Sequence, residues 1–133
     1  MSRGLQIFPR VLGNGNTMAG FLSRTGLQQS LTGDGGTINV NVYHTKIYST
    51  NKNITLNMNS GRQEGQTKLI TFTFKGNENA DITLNCPSLT GDYTSILFEN
   101  VGDQVQLIWT GTVWIPLVTL NVSNPSLNTP VIN

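Results

Sequence analysis

Apolar and polar residues alternate with a period of two along the middle of the chain, between residues 37 and 118. In the first segment Ile38, Val40 and Val42 alternate with threonine and asparagine, which is typical of a strand with one buried face. Turn-forming glycine, asparagine and aspartate separate the segments. The predicted strands are residues 37–42, 54–59, 70–75, 80–86, 93–101 and the two arms of a hairpin at 105–118.

A series of short strands of this kind predicts an all-β fold, a single antiparallel β-sandwich or a small barrel of jelly-roll type, over residues 37–118. Outward positions are mostly threonine and asparagine, which can form side-chain ladders or pack at a subunit interface. Trp114 is in phase with neither Val113 nor Ile115, so we expect it on the outer face or against a neighbouring chain. The side chains expected in the core are Ile38, Val40, Val42, Ile54, Leu56, Ile70, Phe72, Phe74, Ile82, Leu84, Phe98, Val105, Leu107 and Trp109.

Two flanking segments lack this alternation. Residues 1–36 set apolar residues among glycines, which predicts an N-terminal arm that orders against a partner, or else a short exposed terminus. Residues 119–133 contain Pro125 and Pro130, which favour extended backbone, and they predict a C-terminal extended arm or a frayed tail. The residues expected at an interface are Leu5, Ile7, Phe8, Val11, Leu12, Phe21, Leu22, Trp114, Val122, Leu127, Val131 and Ile132.

The composition is poor in charge. Only 11% of the residues are charged, against about a quarter in typical globular proteins, whereas the chain has 16 asparagines and 17 threonines. Such a surface gives little repulsion between copies, which favours self-association, although a drifted composition without functional meaning is the alternative. The net charge is +1 and the basic residues are scattered, so we expect no nucleic-acid partner. No apolar run approaches the length of a membrane span.

Residue types that carry catalysis are scarce. Cys86 and His44 are single, so one chain can form neither a disulfide nor a zinc site built from several Cys and His ligands. His44 has no nucleophile motif beside it and is expected to be structural, and Cys86 is expected to be a small buried apolar side chain. The seven acids lie mostly beside glycine or asparagine in turns. We therefore expect no catalytic residue, no metal and no cofactor, and a protein that is not an enzyme.

One set of motifs resembles a known family. Glu64-Gly65-Gln66 precedes an apolar strand, Leu69 to Phe74, and Gly102 to Ile115 follows the pattern Gly-Asp-x-Val-x-Leu-Ile-Trp-x-Gly-x-x-Trp. Together they resemble a repeat found in virion proteins of tailed phages and large DNA viruses, in tail-fibre segments, head fibres and small capsid-decorating proteins. The resemblance implies a virion location and a β-rich module, often trimeric, that binds rather than catalyses.

Two functions are compatible with this resemblance. The first is a capsid decoration, cement or minor capsid protein that forms a homotrimer and contacts the major capsid protein or other virion proteins through its terminal arms. The second is a receptor-binding or glycan-binding fibre tip. The chain has no shaft repeats or heptads of the kind that precede a fibre head, which favours the first.

Overall fold

The computed structural model describes residues 28–121 and 130–133. No helix occurs within these residues, which confirms the predicted all-β class. The strands they form are β1 (Gln28–Leu31), β2 (His44–Ser49), β3 (Ile54–Asn57), β4 (Thr67–Lys75), β5 (Ile82–Asn85), β6 (Ser95–Phe98), β7 (Asp103–Trp109), β8 (Trp114–Asn121) and β9 (Val131–Ile132).

The strands form two sheets that enclose one apolar core. The five-stranded sheet has the order β1-β2-β4-β7-β8, and the four-stranded sheet has the order β3-β5-β6-β9. Within the described residues the sheets do not close into a barrel, so the β-sandwich prediction is confirmed. The core consists of Ile38, Ile47, Ile54, Leu56, Met58, Ile70, Phe72, Ile82, Leu84, Cys86, Leu89, Ile96, Phe98, Val105, Leu107, Trp109 and Trp114.

The sheets are mixed rather than wholly antiparallel. From β2 to β5 successive strands alternate between the two sheets, and between β1 and β2 the chain bridges the other sheet only at Thr37, opposite Asn57. Each return to a sheet pairs parallel to the strand already there: β1 with β2, β2 with β4, and β3 with β5. This winding is that of a short β-solenoid. Antiparallel pairing begins where β5 meets β6 and continues in the β7–β8 hairpin. The expectation of a purely antiparallel sandwich is therefore corrected.

A repeated tetrapeptide explains part of the parallel stack. The sequence Ile-Thr-Leu-Asn occurs as β3 and again as β5, and the two copies pair in register, each residue beside its own equivalent. Isoleucine and leucine face the core in both strands, while threonine and asparagine face outward. Identical side chains on adjacent parallel strands match in size and polarity, so this register buries the apolar set without a misfit.

The predicted hairpin is present as β7 and β8. Thr110 N donates to Val113 O at 2.9 Å, and Gly111 has a φ of 102°, which glycine adopts without strain. Trp109 and Trp114 lie opposite each other across the hairpin, with ring centroids 5.3 Å apart. A cross-strand pair shares one face of a sheet, so both rings enter the core and Trp114 is 0% exposed. The expectation that Trp114 lies outside is wrong.

A β-bulge displaces one predicted core residue. Ile47 pairs with Phe72, but the next residue, Tyr48, pairs with Phe74, so Thr73 is an extra residue in β4. An extra residue reverses the face on which the following side chain lies. Phe74 therefore lies beside the outward-facing Tyr48 and is 52% exposed, although its position in the alternation predicted burial.

The first predicted strand is also displaced. Thr37 makes an isolated bridge to Asn57, and the chain then turns before β2 begins at His44. Ile38 is buried as predicted, whereas Val40 and Val42 are only half-buried. The segment forms a turn because side chains of β4 and of the loop before β4 donate hydrogen bonds to its carbonyl groups.

The sandwich extends beyond the predicted boundaries at residues 36 and 118. Strand β1 lies inside the predicted N-terminal arm, and Leu31 packs against the core. At the other end, β8 continues to Asn121, and β9 pairs with β6 of its own sheet. The remainder of both predicted arms, residues 1–27 and 122–129, lies outside the described residues.

Candidate interface on the five-stranded sheet

The side of the five-stranded sheet that points away from the core carries several exposed apolar groups. We call this surface the outer face. Its members follow from the alternation of buried and exposed positions and from the strand register. They are Gln28 and Ser30 on β1; His44, Lys46 and Tyr48 on β2; Thr67, Leu69, Thr71 and Phe74 on β4; Gln104, Gln106 and Ile108 on β7; and Ile115, Val118 and Leu120 on β8.

The β7–β8 half of the outer face is mainly apolar, with Gln104 and Gln106 of β7 as polar members. Ile115, Leu117 and Val118 are 36%, 52% and 42% exposed. Leu117 is exposed because a second bulge, opposite Gln106 and Leu107, inserts it as an extra residue in β8. Between Gln104 and Asn121 the sequence has no charged residue. An uncharged exposed strand of this kind is typical of a contact surface.

The β2–β4 half of the outer face is mainly polar, apart from Leu69 and Phe74, and some of its side chains bond across strands. His44 Nε2 lies 3.0 Å from Thr71 Oγ1, which itself donates to Gln104 Oε1 at 3.1 Å. Because the threonine hydrogen is used for Gln104, His44 Nε2 is the donor to Thr71. Gln106 Nε2 donates to the Tyr43 hydroxyl at 3.1 Å.

His44 is held in its neutral form. Burial, followed by the positive charges of Lys46 and Lys68, lowers the pKa of His44 below its ordinary value of 6.5. The imidazole therefore carries no charge at neutral pH. It is one hydrogen-bonding member of a cross-strand row.

The free edge of β8 is protected near the hairpin. Trp114 N donates to Ser88 O at 2.8 Å, and Thr90 N donates to Trp114 O at 3.0 Å, so a loop segment covers the edge there. Two residues further on, Pro116 has no N–H to offer an incoming strand. These features disfavour the addition of another strand, so the side chains of the outer face, rather than the backbone edge, are available for contact.

A buried lysine lies behind the polar half, on the core side of the sheet. Lys68 is 0% exposed, and its Nζ donates to Asn39 O at 2.9 Å, Val42 O at 2.8 Å and Thr45 Oγ1 at 2.6 Å. The two carbonyl bonds fold residues 39–42 into the turn that replaces the first predicted strand. Burial lowers the pKa of Lys68 to about 7. Because the ammonium is enclosed by the protein, its role is to hold this turn.

A second buried polar group, the Asp103 carboxylate, links two parts of the sandwich through hydrogen bonds. Asp103 is 0% exposed, and one of its oxygens accepts from the backbone N–H groups of Glu99 and Asn100. The other oxygen accepts from Asn121 Nδ2 at 2.9 Å. Asp103 thus joins the turn before β7 to the end of β8. Among the described residues, no three His, Cys, Asp or Glu side chains are grouped so that they could hold a metal ion.

Cys86 is buried, as predicted. Burial raises the pKa of its thiol to about 11, so the nucleophilic thiolate is not formed at neutral pH. Within residues 28–121 and 130–133, no helix has the length and apolar character needed to span a membrane.

The predicted interface residues have different outcomes. Trp114 belongs to the core, Val131 is 40% exposed on β9, and Ile132 packs partly against the core. Those that lie outside the described residues are Leu5, Ile7, Phe8, Val11, Leu12, Phe21, Leu22, Val122 and Leu127. The exposed residues of β8 were missed, although a signal existed: residues 115–118 are apolar at both inward and outward positions.

The described surface thus includes an uncharged, largely apolar region on β8 of a folded β-sandwich. A comparison of the chain with protein-family models and with curated protein sequences gives no match. The viral resemblance and the glycan-binding alternative stay predictions, and they rest on the residues named for them.

Proposed function

We propose that this chain is a structural protein of a virion, a capsid decoration, cement or minor capsid protein that forms a homotrimer and contacts the major capsid protein or other virion proteins. The observation that carries the proposal is the apolar half of the outer face. It lies on a folded sandwich and has no charged residue between Gln104 and Asn121. A surface of this kind is suited to lasting contact with protein, because covering it removes apolar area from water at little electrostatic cost.

The motif residues behind the viral resemblance also form one structural unit. Gly65 N donates to Trp109 O, and Trp109 N donates to Gln66 O, both at 2.8 Å, so the Glu-Gly-Gln segment is bonded to the hairpin. The Gln66 side chain further bonds Arg62 N and Val40 O. Gly65 has a φ of 88°, which favours glycine. The spacing of the motif therefore has a structural reason, which supports treating it as the signature of one module.

The close packing around the motif also supports a structural role for this hairpin. A Cβ on Gly61 would lie 2.7 Å from Cδ2 of Trp109, so only glycine lets the chain pass over this ring. Trp114 Nε1 donates to Asn59 O at 2.9 Å, which fixes the second ring. Both tryptophans are thus used to hold the hairpin, and this use supports a scaffold rather than a sugar-stacking platform.

The proposal is tested on particles produced from the genome that encodes the chain. Purified particles should contain the chain at a fixed ratio to the major capsid protein, measured by quantitative mass spectrometry after a density gradient. Absence of the chain from gradient-purified particles would contradict the proposal. Presence only in a tail or fibre fraction, together with saturable binding of the isolated chain to a glycan array, would support the fibre-tip alternative instead.

A further inference from the structure

We propose that the turn formed by residues 39–42 is a pH-sensitive element: acid favours its opening away from the buried Lys68 side chain, and mild alkali favours its closed form. The inference goes beyond the proposed function and does not depend on it. Three observations support it: the turn is held by side chains, the lysine beneath it is enclosed by neutral groups, and the charged groups on the surrounding elements do not compensate the ammonium.

The turn is held by side chains rather than by a strand ladder. Lys68 Nζ donates to the carbonyl oxygens of Asn39 and Val42. Gln66 Nε2 donates to the carbonyl oxygen of Val40, which lies between them. The backbone bond inside the turn, from Val42 N to Asn39 O, is long at 3.4 Å. A segment held in this way opens at a lower free energy than a paired strand, so the turn can open while the sheets stay paired.

Lys68 is buried beneath this turn among neutral oxygens. The residue is 0% exposed, and the third partner of its ammonium group is the hydroxyl of Thr45 at 2.6 Å. Among the described residues, no ion pair includes Lys68. Burying a charge in such a place is costly, because the ammonium loses its water and gains no opposite charge.

The basic groups around Lys68 offer it no compensation. His44 and Lys46 flank Thr45 on β2, and the charge of Lys68 contributes to the lowered pKa of His44. Arg62, in the loop before β4, donates from Nη1 to Asn41 Oδ1 at 3.0 Å, so a further positive group lies beside the turn. These groups add positive charge near the lysine when they are protonated.

The acidic groups of the neighbouring elements are directed elsewhere. The turn, β2 and β4 contain no acid. Glu64 lies in the loop before β4, with its Oε1 4.0 Å from the position that a Cβ would take on Gly111 at the hairpin tip. Asp103 of β7 accepts bonds from the backbone of the preceding turn. The hydroxyl of Tyr43, which follows the turn, accepts from Gln106.

Opening the turn changes the proton affinity of Lys68. Its three hydrogen bonds favour the charged form and burial disfavours it, and burial prevails, since it lowers the pKa of Lys68 to about 7. In the open turn water reaches the ammonium, and the pKa returns toward its ordinary 10.5. The open form therefore binds the proton more tightly. The opening equilibrium thus falls by up to about tenfold per pH unit above about pH 7, and it is constant below that pH, where both forms carry the proton.

Amide hydrogen exchange of the full chain, followed by NMR at about pH 7 and 8.5, tests this inference. The reporters are the N–H groups of Asn39 and Asn41, which are bonded to Gln29 Oε1 at 2.7 Å and to Asn39 Oδ1 at 2.9 Å. After correction for the intrinsic exchange rate, we expect their protection to rise about tenfold over this interval. Their protection should stay below that of the paired amides of β4 and β7. The pKa of His44 lies below 6.5, so His44 is not the source of this rise.

Two variants identify the source. Lys68→Met removes the titrating group, so the protection of the two reporter amides should change less than about twofold between the two pH values. Lys46→Met is the matched control, because it removes a partly exposed lysine on the adjacent strand, and it should keep the tenfold rise. If Lys68→Met does not fold, NMR titration of the Lys68 Cε signal in the wild type replaces it, and this titration should coincide with the rise in protection.

Three results would overturn the inference. The first is equal protection of the reporter amides at both pH values in the wild type. The second is a tenfold rise that persists in Lys68→Met, or a Cε titration that does not coincide with it. The third is protection of the reporter amides that equals that of the β4 and β7 amides and falls with low urea as theirs does, because the turn would then open only when the whole chain unfolds.

Discussion

At the scale of single residues, Lys68 best illustrates how a side chain shapes this fold. Lys68 is in phase with Ile70 and Phe72 on β4, and its side chain points into the interior as theirs do. Its three oxygen partners match the three N–H donors of an ammonium group. The lysine thereby satisfies the carbonyl groups of a turn that packs beside the core. The predicted strand began at residue 70, so the sequence analysis did not predict that Lys68 points inward or which oxygens it bonds, whereas β4 begins at Thr67.

This arrangement predicts a pH dependence of stability. The pKa of Lys68 is lowered from its ordinary 10.5 to about 7 by burial. Between about pH 7 and 8.5 the unfolded chain therefore binds more protons at this site than the folded chain, so stability rises with pH, by about 1–2 kcal/mol over this interval. Urea unfolding at both pH values measures this change in the free energy of unfolding. Lys68→Met should be less stable at both and should lose this rise. An equal rise in the variant would mean that Lys68 is not its source.

At the scale of elements, the period of two predicted the strands well and their partners poorly. The segments around Ile54, Ile82 and Val105 are strands with the expected inward faces, and the hairpin is where it was predicted. Parallel and antiparallel strands share the same alternation of side chains, so the pattern could not reveal that β2 to β5 alternate between two sheets and pair in parallel. Strand β2 was missed because its inward positions include Thr45 and Ser49, which are polar.

The bulge in β4 gives a direct test at this scale. Phe72 is 0% exposed, so Phe72→Ala should lower the free energy of unfolding by about 3–5 kcal/mol. Phe74→Ala, two residues away and beyond the bulge, should cost less than about 1 kcal/mol, because its ring is largely in water already. Urea denaturation of both variants compares the two losses. Equal losses would show that Phe74 is a core residue and that the bulge does not reverse its face.

At the scale of the whole molecule, residues 28–36 belong to the folded sandwich and not to a separate arm. Strand β1 is bonded to its neighbours through Gln29, whose Oε1 accepts from Thr45 Oγ1 at 2.9 Å and from Asn39 N at 2.7 Å. The residues that follow it are also bonded to the sandwich, since Asp34 accepts from Thr55 N at 2.8 Å. Because residues 1–36 are rich in glycine, we predicted that β1 and the residues after it belong to an arm, whereas they belong to the sandwich.

Truncation tests this boundary. A chain that lacks residues 1–36 should unfold at a lower urea concentration than a chain that lacks residues 1–27, because only the former loses β1 and the bonds of Gln29 and Asp34. The loss should be on the order of a few kcal/mol, as several hydrogen bonds and the packing of Leu31 disappear together. If the two truncated chains have the same midpoint, residues 28–36 do not contribute to the sandwich.

The central claim, that this protein works by assembling with copies of itself, is tested most directly by the mass of the isolated wild-type chain in solution. Sedimentation equilibrium over a range of micromolar concentrations separates the 14.5 kDa protomer from its assemblies. We expect a homotrimer, with three times the mass of the chain, that dissociates on dilution. A single species of 14.5 kDa at every concentration would contradict it.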